Sequence, residues 1–234
     1  MRALALAVVS LLLAGAGPAH AQAYQCRAPA SVAVPAVERD GPVRQLPVTG
    51  YTLAASWSPE FCRTRKASRA HGRQCSGRAG TFGMVLHGLW PDGDRIWPQW
   101  CPARTRPTPR QIAGQLCASP SARLVARQWA KHGACMTRTP ANYFAQANTL
   151  WAGIEWPDLD ELSRREGLTA GKLKEMFVAA NPQWRAAGIA VIADERGWLR
   201  EMRLCYDRRF RPSPCGKGRM GASSDAPIRI WRGF

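Results

Sequence analysis

Eight cysteines constrain this chain more than any other feature: Cys26, Cys62, Cys75, Cys101, Cys117, Cys135, Cys205 and Cys215. Their number is even, and no two stand in a C-x-x-C pair, the spacing of zinc ribbons and thioredoxin-like redox sites. Four disulfides formed in an oxidising compartment are therefore the expectation, with the connectivity left open by the spacing. The N-terminus agrees with that compartment. Arg2 precedes an apolar run from Leu4 to Ala14, and Ala19-His20-Ala21 is a small-residue cleavage site before Gln22. Residues 1–21 read as a secretory signal peptide removed after Ala21, and no other stretch is long and apolar enough to span a membrane. The Ala- and Arg-rich composition points to a bacterium, so the mature chain is expected in the periplasm or the medium.

At 234 residues the chain suits one domain with a sizeable core. Residues 22–49 are rich in proline and alanine and lack periodicity, which reads as an extended N-terminal arm. Residues 50–234 show no internal repeat and no linker, and read as a single domain. Strands are expected over Gly50–Trp57, Thr81–Trp90, Ile189–Ile192 and Trp198–Tyr206, with a further one at Pro227–Trp231. Helices are expected from a Ser119-Pro120 cap to about Cys135, where Gly133 would act as the stop. Others should run from Thr139-Pro140 to Pro157 and over Asp158–Glu166 and Thr169–Ala180. Strands at both ends with helices between them make an α+β fold.

Lysine and arginine outnumber aspartate and glutamate, 33 to 16, for a net charge of +17 spread along the chain. Such a surplus suits a polyanionic partner: nucleic acid, an acidic glycan or an anionic membrane. Between Cys62 and Cys75 lie Arg63, Arg65, Lys66, Arg69, His71 and Arg73, either an RNA-facing loop or a solvated one.

Two stretches carry chemistry. Met84-Val85-Leu86-His87-Gly88-Leu89-Trp90-Pro91-Asp92 starts as a buried strand and ends in a turn, with a histidine, a glycine, a tryptophan and an acid between. One histidine beside a tryptophan is usually ordinary core. The second stretch, Gln128-Trp129-Ala130-Lys131-His132-Gly133-Ala134-Cys135, changes that reading. On a helix, Leu124, Gln128, His132 and Cys135 share one face, and Arg127 and Lys131 form the adjacent row. Two fixed cations, an amide and an imidazole suit a phosphate group. Two histidines and a cation suffice to cleave RNA without a metal or other cofactor. One imidazole takes the proton of the ribose 2′-hydroxyl and the other protonates the leaving 5′-oxygen. Lys131 would stabilise the charge that builds on phosphorus. The products are a 2′,3′-cyclic phosphate and then a 3′-phosphate, and DNA, which lacks the 2′-hydroxyl, is not cleaved. The sequence does not divide base and acid between His87 and His132.

His87-Gly88-Leu89-Trp90-Pro91 and Trp129-Ala130-Lys131-His132-Gly133-Ala134-Cys135 resemble the two active-site segments of the ribonuclease T2 family, HGLWP and HEWxKHGTC. Tyr51–Cys62 is similar to that family's first strand and following cysteine, and Leu204-Cys205-Tyr206-Asp207 with Cys215 to its late cysteine pair. The resemblance implies an antiparallel sheet backed by helices and a monomeric endoribonuclease with little base preference. It also implies that Trp90 stacks on a base and Asp92 hydrogen-bonds it. The implied disulfides are Cys62–Cys75, Cys101–Cys135 and Cys205–Cys215, which leaves Cys26 to Cys117. Three positions depart from the pattern: Arg127 and Gln128 replace His and Glu, and Ala134 replaces Thr. Arg127 can still bind phosphate, and the Gln128 amide can donate a hydrogen bond but cannot titrate. These departures keep a rival reading in play, a non-catalytic cationic protein that binds RNA or another polyanion. A metal-dependent hydrolase using His132 and Cys135 is disfavoured, because no second cluster of ligands has suitable spacing.

Overall fold

A strand needs apolar or β-branched side chains on at least one face, and the longer runs that supply them here pair into a four-stranded antiparallel sheet. The computed structural model describes residues 23–216 and 218–233, so the stretch read as a signal peptide lies outside the described residues. The strands are Ala23–Tyr24 (β1), Gly50–Trp57 (β2), Thr81–Phe82 (β3), Met84–Asp92 (β4), Ile189–Ala193 (β5) and Leu199–Tyr206 (β6). Four of them form the main sheet in the order β4-β2-β6-β5, every neighbour antiparallel. The stretch expected as one strand from Thr81 to Trp90 is two. The short β3 pairs with β1 in the arm, and the chain breaks at Gly83, whose carbonyl accepts the Ser58 N–H at 2.9 Å. β4 then runs on through Pro91 and Asp92, which its place at the sheet edge allows, since an edge strand tolerates a missing N–H. Pro227–Trp231 is not a strand: it makes only isolated bridges, Thr169 with Pro227 and Trp198 with Arg229.

The α-helices are Ser58–Cys62 (α1), Gly72–Cys75 (α2), Pro109–Gly114 (α3), Ala122–Lys131 (α4), Pro140–Ala152 (α5), Leu159–Leu162 (α6) and Ala170–Ala180 (α7). The segment between Cys62 and Cys75 is thus largely helical turns rather than a loop. In α3, for which the sequence sets no expectation, Thr108 and Gln111 form a reciprocal capping box. The helix expected from Ser119 starts later. The Ser119 N–H donates to Gln115 O and ends the preceding turn, so Ser121 caps α4 by accepting from Leu124 N–H at 3.3 Å. α4 also ends earlier, at Lys131, and Gly133–Cys135 tighten into a 3-10 turn. Gly133 is not a left-handed stop. A Cβ there would lie 2.7 Å from the rings of Trp129 and Tyr143, so glycine serves close packing. α5 is capped by Thr139 as expected but stops at Gly153, short of Pro157, and α6 is a single turn.

One core fills the space between sheet and helices, with Leu53 and Leu89 of the sheet against Trp129, Tyr143, Phe177 and Trp184. This is an α+β fold. The Tyr143 hydroxyl donates to Leu89 O at 3.1 Å and accepts from Leu89 N–H at 3.3 Å, which locks α5 to β4 next to His87 and Trp90. Disulfides join Cys26 to Cys117, Cys62 to Cys75, Cys101 to Cys135 and Cys205 to Cys215. Among the described residues no helix is long and apolar enough to cross a membrane.

Candidate active site

The register of β2 against β4 slips at one point: Ala54 faces Gly88, but Ala55 faces Leu86. His87 is the residue left over. A bulge of this kind bends the strand and re-aims the side chain at the break. The His87 ring faces β6, where its Nδ1 lies 2.6 Å from Glu201 Oε2. A carboxylate can only accept, so Nδ1 carries the proton and Nε2 is left for a ligand. Glu201 is buried and also accepts from Arg203 Nε at 2.7 Å and Ser56 Oγ at 3.2 Å. Burial pushes its carboxyl up, but the His87 hydrogen bond and the charges of His87 and Arg203 outweigh that and hold it below the usual glutamate value.

Farther along β4, Trp90 lies beside His87, ring centroids 5.1 Å apart, and it also meets the His132 ring at 5.6 Å. One indole therefore touches both imidazoles, which reach it from β4 and from the end of α4. The Trp90 N–H donates to Gln128 Oε1 at 2.7 Å. Gly88 makes room for that bond, since a Cβ there would sit 2.1 Å from Gln128 Oε1 and 2.7 Å from Trp90 Nε1. Gln128 is itself buried. Its carbonyl oxygen thus orients the tryptophan, and only its amide nitrogen remains for the donor role expected from the sequence.

His132 is also buried, and among the described residues no group partners its Nδ1. Burial first, then the charges of Lys131, His87 and Arg127, pull its pKa down to about 3, so the ring is neutral at physiological pH. Lys131 and Arg127 lie on the same end of α4 and line a cleft of about 660 Å³ together with His87, Trp90, Gln128 and His132. Asp92 lines it too. It accepts from Thr52 Oγ1 at 2.9 Å and is ion-paired to Arg219, while burial pushes its carboxyl up against the pull of both. A second cleft of about 780 Å³ meets the first at His87 and Arg203. Arg63, Arg65 and His71 from the Cys62–Cys75 segment line it. Arg63 stacks on Trp231 at 4.4 Å and Arg65 on Phe61 at 4.5 Å.

The structure thus brings together His87, Trp90, Asp92, Arg127, Gln128, Lys131 and His132, all singled out from sequence. It adds Glu201, Arg203 and Arg219, which sequence reasoning missed. Glu201 alternates with the core residues Met202, Leu204 and Tyr206 and shares its face of the strand with Arg203, so its place in the sequence reads as that of a solvent-facing acid. Among the described residues no group of three or more His, Cys, Asp or Glu is placed to hold a metal ion.

The model of the ribonuclease T2 family matches residues 49–174. A probable ribonuclease of Haemophilus influenzae is 32% identical over 181 residues, covering 72% of this chain and 61% of its own length. The chain therefore spans about three fifths of that relative. A ribonuclease of Aeromonas hydrophila is 37% identical over 165 residues, covering 68% of this chain and 71% of its own. Among solved structures, trichomaglin, described as an S-like ribonuclease, superposes with a TM-score of 0.63 at 20% identity, covering 78% of this chain and 97% of that one. At that identity the superposition speaks for the fold.

Proposed function

The chain belongs to the ribonuclease T2 family, and from that premise we propose that it is an endoribonuclease. It cleaves single-stranded RNA without a metal, through a 2′,3′-cyclic phosphate to 3′-phosphate ends, and with little base specificity. The observation that carries the reading is the pair of imidazoles that line one cleft around Trp90, one tied to a buried carboxylate and the other buried and neutral. A neutral imidazole is ready to accept a proton, so His132 takes the 2′-hydroxyl proton. His87, with Nδ1 held by Glu201, delivers a proton from Nε2 to the departing 5′-oxygen. In the hydrolysis of the cyclic phosphate the two exchange roles, with water as nucleophile. Lys131, Arg127 and the Gln128 amide face the non-bridging oxygens, where charge grows in the transition state. Trp90 stacks on a base, and Asp92, held by Arg219 and Thr52, hydrogen-bonds one. Such an enzyme works as an exported monomer, in periplasm or medium, where four disulfides persist.

The test is digestion of single-stranded RNA and of DNA in the presence of a chelator, with the product ends identified. Cyclic and 3′-phosphate ends from RNA, and intact DNA, are expected. His87→Ala and His132→Ala should each remove most activity and leave the circular dichroism spectrum unchanged. Full activity in either would sink the assignment, and RNA binding without cleavage by the wild type would select the polyanion-binding reading.

A further inference from the structure

The N-terminal arm reaches the catalytic helix. Asp40 stands against the two cations of α4: its Oδ2 is ion-paired to Arg127 Nη2, and both its oxygens accept from Lys131 Nζ at 3.1 Å. Oδ1 also accepts from Trp100 Nε1 at 3.1 Å. Trp100 is buried and has φ +55°, a left-handed conformation unusual for a bulky residue and one that persists where surrounding structure imposes it. In that conformation its ring lies under both cations, 5.6 Å from Arg127 Cζ and 5.8 Å from Lys131 Nζ. Its backbone N–H donates to Lys131 O at 2.8 Å. The next residue, Cys101, is bonded to Cys135 just beyond the helix. The arm is fastened to the same loop by paired backbone bonds between Arg44 and Gln99, at 2.9 and 3.0 Å, and by Gln99 Nε2 donating to Pro42 O at 3.0 Å.

Two like charges one helical turn apart repel, and a lysine on its four-carbon stem samples many rotamers unless it is held. Asp40 answers both difficulties. Its carboxylate is held well below the usual aspartate range, at about 2, chiefly by the Lys131 hydrogen bond, so it is charged throughout the working range. Arg127 and Lys131 line the cleft beside His132, whereas Asp40 does not. The carboxylate therefore grips the cations from outside and leaves their cleft sides to a phosphate.

We propose that Asp40, steadied by Trp100, is a positioning residue that holds Lys131 Nζ and the Arg127 guanidinium where the scissile phosphate docks. This rests on the endoribonuclease reading above. The alternative role, a carboxylate that competes with phosphate for the cations, predicts the opposite kinetics.

The experiment compares wild type, Asp40→Asn, Asp40→Glu, Trp100→Phe and Lys131→Ala, together with Asp40→Asn in the Lys131→Ala background. Steady-state cleavage of a short single-stranded RNA gives kcat and KM. Asp40→Asn, which keeps the shape and removes the charge, should lower kcat roughly 10- to 100-fold, the cost of misplacing a reacting group by about an ångström. KM should stay within about twofold. Trp100→Phe should cause a smaller loss of the same kind, and Asp40→Glu should recover much of the rate. In the Lys131→Ala background Asp40→Asn should cost clearly less than in the wild type, because the part acting through Lys131 is already lost and only the hold on Arg127 remains. An unchanged or raised kcat in Asp40→Asn, or additive losses, would overturn the proposal. A wild type that cuts no RNA would instead defeat the reading it rests on. The grip is still visible then by NMR: the Lys131 ammonium should give a resolved ¹H–¹⁵N signal in wild type that vanishes in Asp40→Asn. A signal retained in Asp40→Asn would count against Asp40 whether or not RNA is cut.

Discussion

At the scale of single residues, His132 makes the sharpest demands. Its pKa falls from 6.5 to about 3 in the folded chain, so unfolding takes up a proton between those values. The stability it contributes is complete above about pH 6.5 and is lost as the pH falls toward 3. Urea midpoints should therefore decline over that window, and the decline should be shallower in His132→Asn. If His132 is the base, the rising limb of kcat/KM with pH should lie below the ordinary histidine value of 6.5. Gly88→Ala tests the packing around it. With Gln128 Oε1 only 2.1 Å from the new methyl, the buried Gln128 amide must shift and its bond with Trp90 is disturbed. Overpacking of this kind costs about 1–3 kcal/mol, and it should lower kcat as well as the melting temperature. The two histidines were legible because histidine is scarce here and each sits beside an aromatic or a cation in a short motif. Glu201 was not, because its partner His87 is 114 positions away in sequence. Nothing near Arg200-Glu201-Met202-Arg203 distinguishes a buried acid from a solvent-facing one.

At the scale of elements, local chemistry located most segments and tertiary pairing set their limits. Thr139 and Thr169 cap their helices as their sequence context suggests, each accepting from the N–H three residues on at 3.3 Å. The bulge at His87 could not be read from β4 alone, because a bulge is a relation between two strands. The same holds for the arm. Its composition described an extended segment, but its attachment to the loop at Gln99 and Trp100 depends on partners about 55 to 60 residues away. The Cys101–Cys135 disulfide is the element-scale device that joins this loop to the end of α4. Replacing both cysteines by serine should cost about 2–5 kcal/mol in denaturant titration. Activity should fall further than that loss of stability explains, because Lys131 and His132 lie on the segment the bond restrains. A double variant as active as wild type at a temperature where it is fully folded would refute this.

At the scale of the whole molecule, the α+β class was legible in the order of strands and helices, whereas the strand order β4-β2-β6-β5 was not. That order depends on which hydrophobic faces meet, and several orders satisfy the same pattern. It places the first motif on the edge strand and Glu201 two strands away, with Ser56 of β2 between them. The net charge of +17 acts at this scale too. The two clefts that meet at His87 carry arginines on both sides, so kcat/KM on long RNA should fall linearly in log–log plots against salt. A dinucleotide, with a single phosphate, should show a much flatter line.

The four disulfides carry a consequence for how the chain is made. Three bonds close short spans of 10, 13 and 34 residues, but Cys26 must reach Cys117 across 91, and that span crosses the Cys101–Cys135 bond. A chain emerging N-terminus first presents Cys62, Cys75 and Cys101 to Cys26 before its true partner appears. Oxidation in order of emergence would therefore trap Cys26 with the wrong neighbour. An oxidant alone should yield scrambled, inactive protein, while a disulfide isomerase, or a redox buffer that lets pairs exchange, should restore the yield. Cys26→Ser with Cys117→Ser should remove that dependence, leaving three bonds that form between near neighbours in order of arrival.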